Sequence, residues 1–126
     1  MKTTTFISLL ALAALSTTPL RAAPMVKKME TSKGQVLAGA EGMTLYTFDK
    51  DSKGMSNCYD TCATNWPPFI AAKGDKASGA YLLIKRKDGS EQWAKDGMPL
   101  YYWVKDRKAG DATGDGVNGV WHVAKP

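Results

Sequence analysis

Two cysteines, one histidine and a set of acidic residues are the side chains of this 126-residue sequence whose types and spacing could support chemistry. Cys58 and Cys62 are four residues apart, so in a helix they share one face with Cα atoms about 6 Å apart. In an exported chain such a pair is expected to form a disulfide. A redox-active dithiol and a thiolate metal site are the alternatives. The CxxxC spacing and the lack of a thioredoxin-like βαβ pattern favour the structural disulfide.

The single histidine, His122, could bind copper or haem together with a methionine. Alternation along the last strand places it opposite Trp121, so we expect an exposed or hydrogen-bonded imidazole. Asp111 and Asp115 lie in a Gly/Asp-rich loop and are weak candidates for a cation site, although ordinary turn chemistry explains them. No CxxCH, GxSxG, HExxH or phosphate-loop motif is present. The sequence therefore predicts no catalytic residue, no metal and no cofactor.

An internal duplication organises the elements that would position these residues. The stretch from Gly42 to Trp66 is repeated, at a constant offset of 55 residues, by the stretch from Gly97 to Trp121. Nine of the 25 aligned positions are identical. Composition alone would give roughly one or two identities. We interpret the chain as two repeats, residues 34–68 and 89–123.

Each repeat is predicted to contain a short aromatic strand, over residues 43–48 and 98–104. In the first, Tyr46 and Phe48 point to one face, and Leu45 and Thr47 to the other. A helix is predicted over residues 56–65, capped by Ser56 or Asn57 and ended by two prolines. Residues 71–79 read as a loop, residues 81–94 as a hairpin with a DG turn, and residues 119–124 as a closing strand.

The predicted fold class is mostly β, a small α+β fold. Two similar β lobes from the duplication pack as one domain, with one short cysteine-bearing helix. Neither lobe is long enough to bury its sheet face alone, so the two are expected to share a core. A shallow ligand groove is the alternative role for the same rings. The aromatic residues concerned are Tyr46, Phe48, Trp66, Tyr101, Trp103 and Trp121.

The first 22 residues have the organisation of a secretory signal peptide. Lys2 gives a positive start, residues 6–15 form an apolar run too short to cross a bilayer, and Ala22 is a small residue suited to cleavage. Residues 23–33 are predicted to be a flexible leader, and residues 34–126 a single domain. Removal of the signal lowers the formal net charge from +5 to +3. Basic and acidic residues are mixed without a phosphate-tracking stripe, which argues against nucleic-acid binding.

The two aromatic strands also carry a recognisable motif. Tyr46-x-Phe48-x-x-Asp51 and Tyr101-x-Trp103-x-x-Asp106 resemble the Yx(F/W/Y)xxD motif of a bacterial family described as predicted lipoproteins or as a secreted repeat of unknown function. The CxxxC pair, Trp66-Pro67-Pro68 and Gly119-x-Trp121 are also similar to its pattern. No lipobox cysteine is present, so this member is expected to be soluble in the periplasm or secreted. The resemblance implies no activity, cofactor or catalytic residue.

The sequence thus predicts an exported, non-catalytic structural or binding module of the bacterial cell envelope. It is expected to be a monomer without a membrane span, and its partner would be an envelope ligand or protein whose identity the sequence leaves open. The alternative is a periplasmic redox or metal/haem-handling protein that uses Cys58, Cys62, His122 and methionines such as Met43, Met55 and Met98. The candidate binding set is the motif aromatics and acids, as core or groove: Tyr46, Phe48, Asp51, Trp66, Tyr101, Trp103, Asp106 and Trp121.

Overall fold

The computed structural model of the protein describes residues 24–126, so the predicted signal peptide lies outside the described residues. The described part is mostly β with one short α-helix, as predicted. A 3₁₀ turn precedes each of two aromatic strands. Ala40–Gly42 lies before the strand Tyr46–Phe48, and Val117–Gly119 lies before the strand Trp121–Val123. The regular elements are β1 Lys27–Thr31, β2 Gly34–Ala38, β3 Tyr46–Phe48, α1 Thr61–Asn65, β4 Tyr81–Lys85, β5 Glu91–Lys95, β6 Met98–Pro99 and β7 Trp121–Val123.

In the structure each repeat begins before its predicted first residue, with an antiparallel hairpin. β1 pairs with β2 from Lys27↔Ala38 to Thr31↔Gly34, and β4 pairs with β5 from Tyr81↔Lys95 to Lys85↔Glu91. The second hairpin turns through the predicted Asp-Gly pair, where Gly89 has a φ of 87° that favours glycine. β6 then adds to β5 at Ala94↔Pro99.

Each hairpin is completed by a segment of the other repeat. We call residues 68–70 the first arm and residues 121–124 the second arm. The second arm contains β7, which pairs antiparallel with β3 of the first repeat at Tyr46↔Val123 and Phe48↔Trp121. The first arm lies against the second repeat, with bridges Pro68↔Tyr101 and Ile70↔Gln92. The repeats are therefore interlocked, because the β3–β7 sheet contains one strand from each and the first arm forms bridges to the second repeat.

The same cyclic pattern of hydrogen bonds joins the arm and the two strands that contact it in each lobe. In the first lobe, Leu37 N donates to Ala124 O (2.8 Å), Ala124 N to Leu45 O (2.8 Å), and Leu45 N to Leu37 O (2.9 Å). The second lobe repeats this cycle at distances of 2.8–2.9 Å. The side chains of both cycles form one apolar cluster, made of Leu37, Leu45, Phe69, Trp93, Leu100 and Ala124.

A pseudo-two-fold axis passes between the two aromatic strands. Tyr46 N donates to Tyr101 O (2.8 Å), and Tyr101 N donates to Tyr46 O (3.0 Å). Tyr46 and Tyr101 are equivalent in the duplication, so each repeat donates a hydrogen bond to the other, and accepts one from it, through the same residue. The structure thus has the two similar repeat units that the constant 55-residue offset predicted.

The predicted flexible leader over residues 23–33 is wrong over Lys27–Thr31, because these five residues form β1. Met29 and Thr31 of this strand are partly buried, and Met29 packs against the aromatic core. The segment looked like a leader because its charged residues outnumber its apolar ones, as is usual for an edge strand that is solvated on one side.

The cysteine-bearing helix is also shorter than predicted. It covers Thr61–Asn65 rather than residues 56–65, and Asp60 before it has φ 54° and ψ −124°. The backbone N–H groups of Asn57 and Cys58 are bound by side chains, Asp51 Oδ1 (2.7 Å) and Ser56 Oγ (3.2 Å). These bonds hold the preceding segment in a non-helical path. The second aromatic strand is likewise shorter than the predicted 98–104, with regular pairing limited to Met98–Pro99.

The loop that joins the repeats, residues 71–80, is largely exposed, so we expect the interlocked arms to hold the molecule together without it. A chain cut by a protease at a site inserted between Gly74 and Lys76 should elute from a native sizing column as one particle. In denaturant the same sample should separate into two fragments. Separation under native conditions would show that the exchanged arms do not bind the repeats together.

Candidate functional site

Four aromatic rings form a continuous stack across the interface between the repeats. Phe48 stacks on Trp121 at a centroid distance of 4.2 Å, Trp121 on Trp66 at 3.8 Å, and Trp66 on Trp103 at 4.0 Å. The central pair, Trp66 and Trp121, is equivalent in the duplication and nearly parallel, with an interplanar angle of 2°. The stack is therefore symmetric about its centre. The first repeat supplies Phe48 at one end and Trp66 inside, and the second repeat supplies Trp103 at the other end and Trp121 inside.

Two tyrosines pack edge-on against this stack. The ring centroids of Tyr46 and Trp66 are 5.3 Å apart with an interplanar angle of 78°, and those of Tyr101 and Trp121 are 5.2 Å apart with an angle of 89°. All six predicted aromatic residues thus meet in one cluster. Trp103 is the most open of them, with Lys105 Nζ 5.7 Å from its ring centroid. The other ring faces are covered by one another, which leaves little of the predicted groove surface open to a ligand.

The motif aspartates link the repeats reciprocally. Tyr46 Oη donates to Asp106 Oδ2 (2.5 Å), and Tyr101 Oη donates to Asp51 Oδ2 (2.6 Å). Each aspartate therefore binds the tyrosine of the other copy and not the one in its own motif. The second carboxylate oxygens bind the following turns, Asp51 Oδ1 accepting from Asn57 N (2.7 Å) and Asp106 Oδ1 from Thr113 N (2.9 Å). The motif spacing thus places a strand tyrosine and a turn carboxylate on opposite sides of the pseudo-two-fold axis.

The burial of these pairs shifts the proton affinities of their members. Burial, and then the hydrogen bond to a carboxylate, raise the pKa of both Tyr46 and Tyr101 far above the ordinary value. Burial also raises the pKa of Asp51, although the hydrogen bonds from Tyr101 and Asn57 and the charge of Arg86 act in the opposite direction. The two phenols are consequently held as neutral donors.

Sequence reasoning missed a buried polar network beside the disulfide. Arg86, only 6% exposed, donates through Nη1 to Ser56 Oγ (3.0 Å) and Gln92 Oε1 (2.7 Å), and through Nη2 to Cys58 O (2.7 Å). Ser56 Oγ in turn shares a 2.6 Å hydrogen bond with Tyr101 Oη. The signal that could have revealed Arg86 is its position two residues after the apolar Ile84, because alternation puts both on the buried face of the hairpin.

The two cysteines are joined in a disulfide, with Cα atoms 5.2 Å apart. Cys58 lies in the loop before α1 and is fully buried, whereas Cys62 lies within α1 and is partly exposed. The bridge therefore closes a small loop over Tyr59, Asp60 and Thr61 and fixes it against the aromatic core. This position is consistent with the predicted structural pairing.

The weak metal candidates lie in separate places and have protein partners. His122 is exposed, and its Nε2 is 2.8 Å from Asp49 Oδ2. Asp111 Oδ2 accepts from two backbone N–H groups of its own loop, and Asp115 Oδ1 accepts from Val123 N (2.9 Å). Over residues 24–126, no three His, Cys, Asp or Glu side chains are grouped closely enough to hold one metal ion.

This arrangement defines a class of protein, a two-repeat β module whose halves exchange arms and share a motif-built core. The family Lipoprotein_15, described as a secreted repeat of unknown function, matches the chain over residues 27–70 and 82–125. The chain therefore belongs to this family, which the motif resemblance had indicated, and its description supports an exported protein. Comparisons with curated proteins and with solved structures gave no match. Within the described range, no helix has the length and apolar character needed to cross a membrane.

Replacing either central ring of the stack should be costly. We expect Trp66→Ala or Trp121→Ala to lower the free energy of unfolding by about 3–5 kcal/mol, because each leaves a cavity in the core. Urea unfolding would measure the loss. Leu82→Ala is a suitable control, since Leu82 is 45% exposed and its truncation should change stability by less than about 0.5 kcal/mol. A small effect of both tryptophan variants would make these rings surface platforms for a ligand.

The buried phenols should make the protein sensitive to alkali. Below pH 10.0, the ordinary tyrosine pKa, folded and unfolded chains both keep Tyr46 and Tyr101 protonated. The stabilisation that the two buried phenols provide is then fully present. At higher pH the unfolded chain releases protons that the folded chain retains. The free energy of unfolding should then fall by about 1.4 kcal/mol per pH unit for each phenol.

Urea unfolding measured at a series of alkaline pH values would test this. Tyr46→Phe and Tyr101→Phe should each start from lower stability, because an aspartate loses its donor. Each should nevertheless show a shallower decline above pH 10.0 than the unmodified protein. Parallel declines in all three proteins would contradict the assignment of the alkaline loss to these two phenols.

Proposed function

We propose that this protein is an exported, non-catalytic module of the bacterial cell envelope that serves a structural or binding role. Its family is described as a secreted repeat, and its first 22 residues have the pattern of a signal peptide. In this proposal the signal is cleaved before Ala23, and the mature chain is a soluble monomer of the periplasm or the medium.

The observation that carries the proposal is the placement of the motif side chains. The rings and carboxylates of both YxxxxD motifs make contacts inside the molecule, in the stack and in the reciprocal Tyr–Asp bonds. A carboxylate that accepts two or more hydrogen bonds from the protein, as Asp51 and Asp106 do, is not presented to a substrate. The motif therefore builds the scaffold, and binding would use surfaces outside it.

The arrangement of the cysteines favours this proposal over the redox or metal-handling alternative. Cys58 is fully buried, and its carbonyl oxygen is held by Arg86 (2.7 Å). Attack by an external thiolate would therefore have to occur at Cys62, the more exposed sulfur. His122, which the alternative requires as a ligand, is exposed, and its Nε2 lies 2.8 Å from Asp49 Oδ2.

Native mass spectrometry would test the proposal most directly. Protein exported to a periplasm and purified without chelators should have the mass of the chain from Ala23, less two hydrogens, with nothing else retained. Two free thiols with a stoichiometric metal ion, or a retained haem, would overturn the proposal in favour of the alternative. Cytoplasmic protein that still carries its first 22 residues would contradict the export step.

Reduction of the bridge separates its structural role from a redox role. The folded protein should resist glutathione under conditions that reduce a CxxC control protein, because Cys62, which carries the more exposed sulfur of the bridge, is itself partly covered. The double variant Cys58→Ser/Cys62→Ser should still fold but be less stable by about 2 kcal/mol, the loop-closure contribution of so small a loop. Rapid, reversible reduction without loss of structure would instead support a redox function.

A further inference from the structure

We propose that the cavity between residues 59–63 and 86–88 binds a small zwitterion with a free carboxylate and a free ammonium group, such as the termini of a short peptide. This inference rests on the proposed binding role and assigns it a site. The cavity has a volume of ≈ 340 Å³, within the size range of small-molecule sites. Its lining residues are Tyr59, Asp60, Ala63, Arg86, Lys87 and Asp88.

The first argument is a buried positive charge without a direct ion pair. Arg86 is 6% exposed, yet among residues 24–126 no carboxylate lies within ion-pair distance of its guanidinium. Its three hydrogen bonds go to neutral oxygens, of Ser56, Gln92 and Cys58. A buried cation is costly unless an anion neutralises it. The carboxylates whose charge acts on it, those of Asp51 and Asp88, lie beyond ion-pair distance, so a carboxylate bound in the cavity would be its first direct ion-pair partner.

The second argument is that Arg86 retains donors for such a ligand. Of its five N–H groups, three are used by the network, and the Nε–H and one Nη2–H have no acceptor among the described residues. No side-chain nitrogen in the described range is both buried and unpaired, so the Nε–H is reached by solvent. Arg86 lines the cavity, and paired guanidinium donors match the two oxygens of a carboxylate.

The wall beside the guanidinium is aromatic and cationic. The Tyr59 ring lies 4.3 Å from Arg86 Cζ and 4.5 Å from Lys87 Nζ, measured to its centroid. Tyr59 thus holds both cations at the cavity by cation–π contact. Its ring edge and Ala63 supply the apolar surface that a small side chain of a ligand would contact.

Asp60 supplies the complementary negative group. Its carboxylate makes no hydrogen bond or ion pair within the described part of the chain, whereas the other acid of the cavity, Asp88, is bound by Ser90 N (2.9 Å) and Ser90 Oγ (2.6 Å). Asp60 adopts φ 54° and ψ −124°, a conformation unfavourable for a residue with a side chain. The Cys58–Cys62 bridge spans this residue and holds it at the cavity.

A titration of the full exported chain with alanylalanine, followed in ¹H–¹⁵N spectra, tests the site. Saturable shifts are expected at Tyr59, Ala63 and Lys87. Alanylalanine amide, which lacks the carboxylate, should bind roughly tenfold or more weakly, the loss expected for hydrogen bonds to a charged group. N-acetyl-alanylalanine, which lacks the ammonium, should also bind more weakly.

Variants assign the two ends of the ligand. Asp60→Asn should abolish the preference for alanylalanine over its N-acetyl form, while the same change at Asp49, an exposed acid in the turn after β3, should leave it unchanged. Arg86→Lys should weaken carboxylate binding about tenfold. Because that variant also removes buried hydrogen bonds and can unfold the chain, the Asp60→Asn comparison stands independently of it.

The absence of saturable shifts in this region would overturn the proposed site, as would equal affinity for alanylalanine and its amide. Shifts confined to other surfaces would do the same. None of these results would affect the proposed envelope module, which is contradicted by a retained metal or haem in the native mass. The two proposals can therefore fail separately.

Discussion

The structure depends on the exchange of segments between two repeats, each of which is completed by the other. Each hairpin leaves backbone and apolar groups open, and the arm of the other repeat closes both, through a cycle of three backbone hydrogen bonds. The same crossing brings Trp66 and Trp121 face to face and places each motif aspartate on the other copy's tyrosine. Breaking one of these contacts exposes apolar surface in both lobes at once, which makes the fold cooperative.

The polar part of the interface is as demanding as the apolar part. Four side chains, two phenols and two carboxylates, are withdrawn from water, and each is satisfied by a partner from the opposite repeat or the adjoining turn. Among the described residues no buried side-chain nitrogen or oxygen lacks a partner. A buried network of this kind specifies one register of the two repeats, because any slip would leave a carboxylate unpaired.

The repeats differ where the symmetric scaffold ends. The first repeat follows its aspartate with the disulfide loop, which is anchored by Arg86 of the second repeat through Cys58 O. At the equivalent place the second repeat has a Gly/Asp-rich loop, where Asp106 is satisfied by Thr113. The two turns hold the same Tyr–Asp bond by different means. The asymmetric elements carry the strained Asp60 and the guanidinium of Arg86, so specific recognition is expected there rather than at the motif.

The sequence by itself determined the duplication, the aromatic core residues, the DG hairpin and the export pattern, because these depend on identity, alternation and turn chemistry along the chain. It could not show that Lys27–Thr31 forms a strand or that the helix begins only at Thr61, since both follow from partners distant in sequence. Only the tertiary structure decided that the motifs act on each other's repeat, and that Arg86 is buried without a direct ion pair. The physical reason is that arm exchange and burial depend on which residues meet across the pseudo-two-fold axis. Local sequence patterns do not specify that pairing.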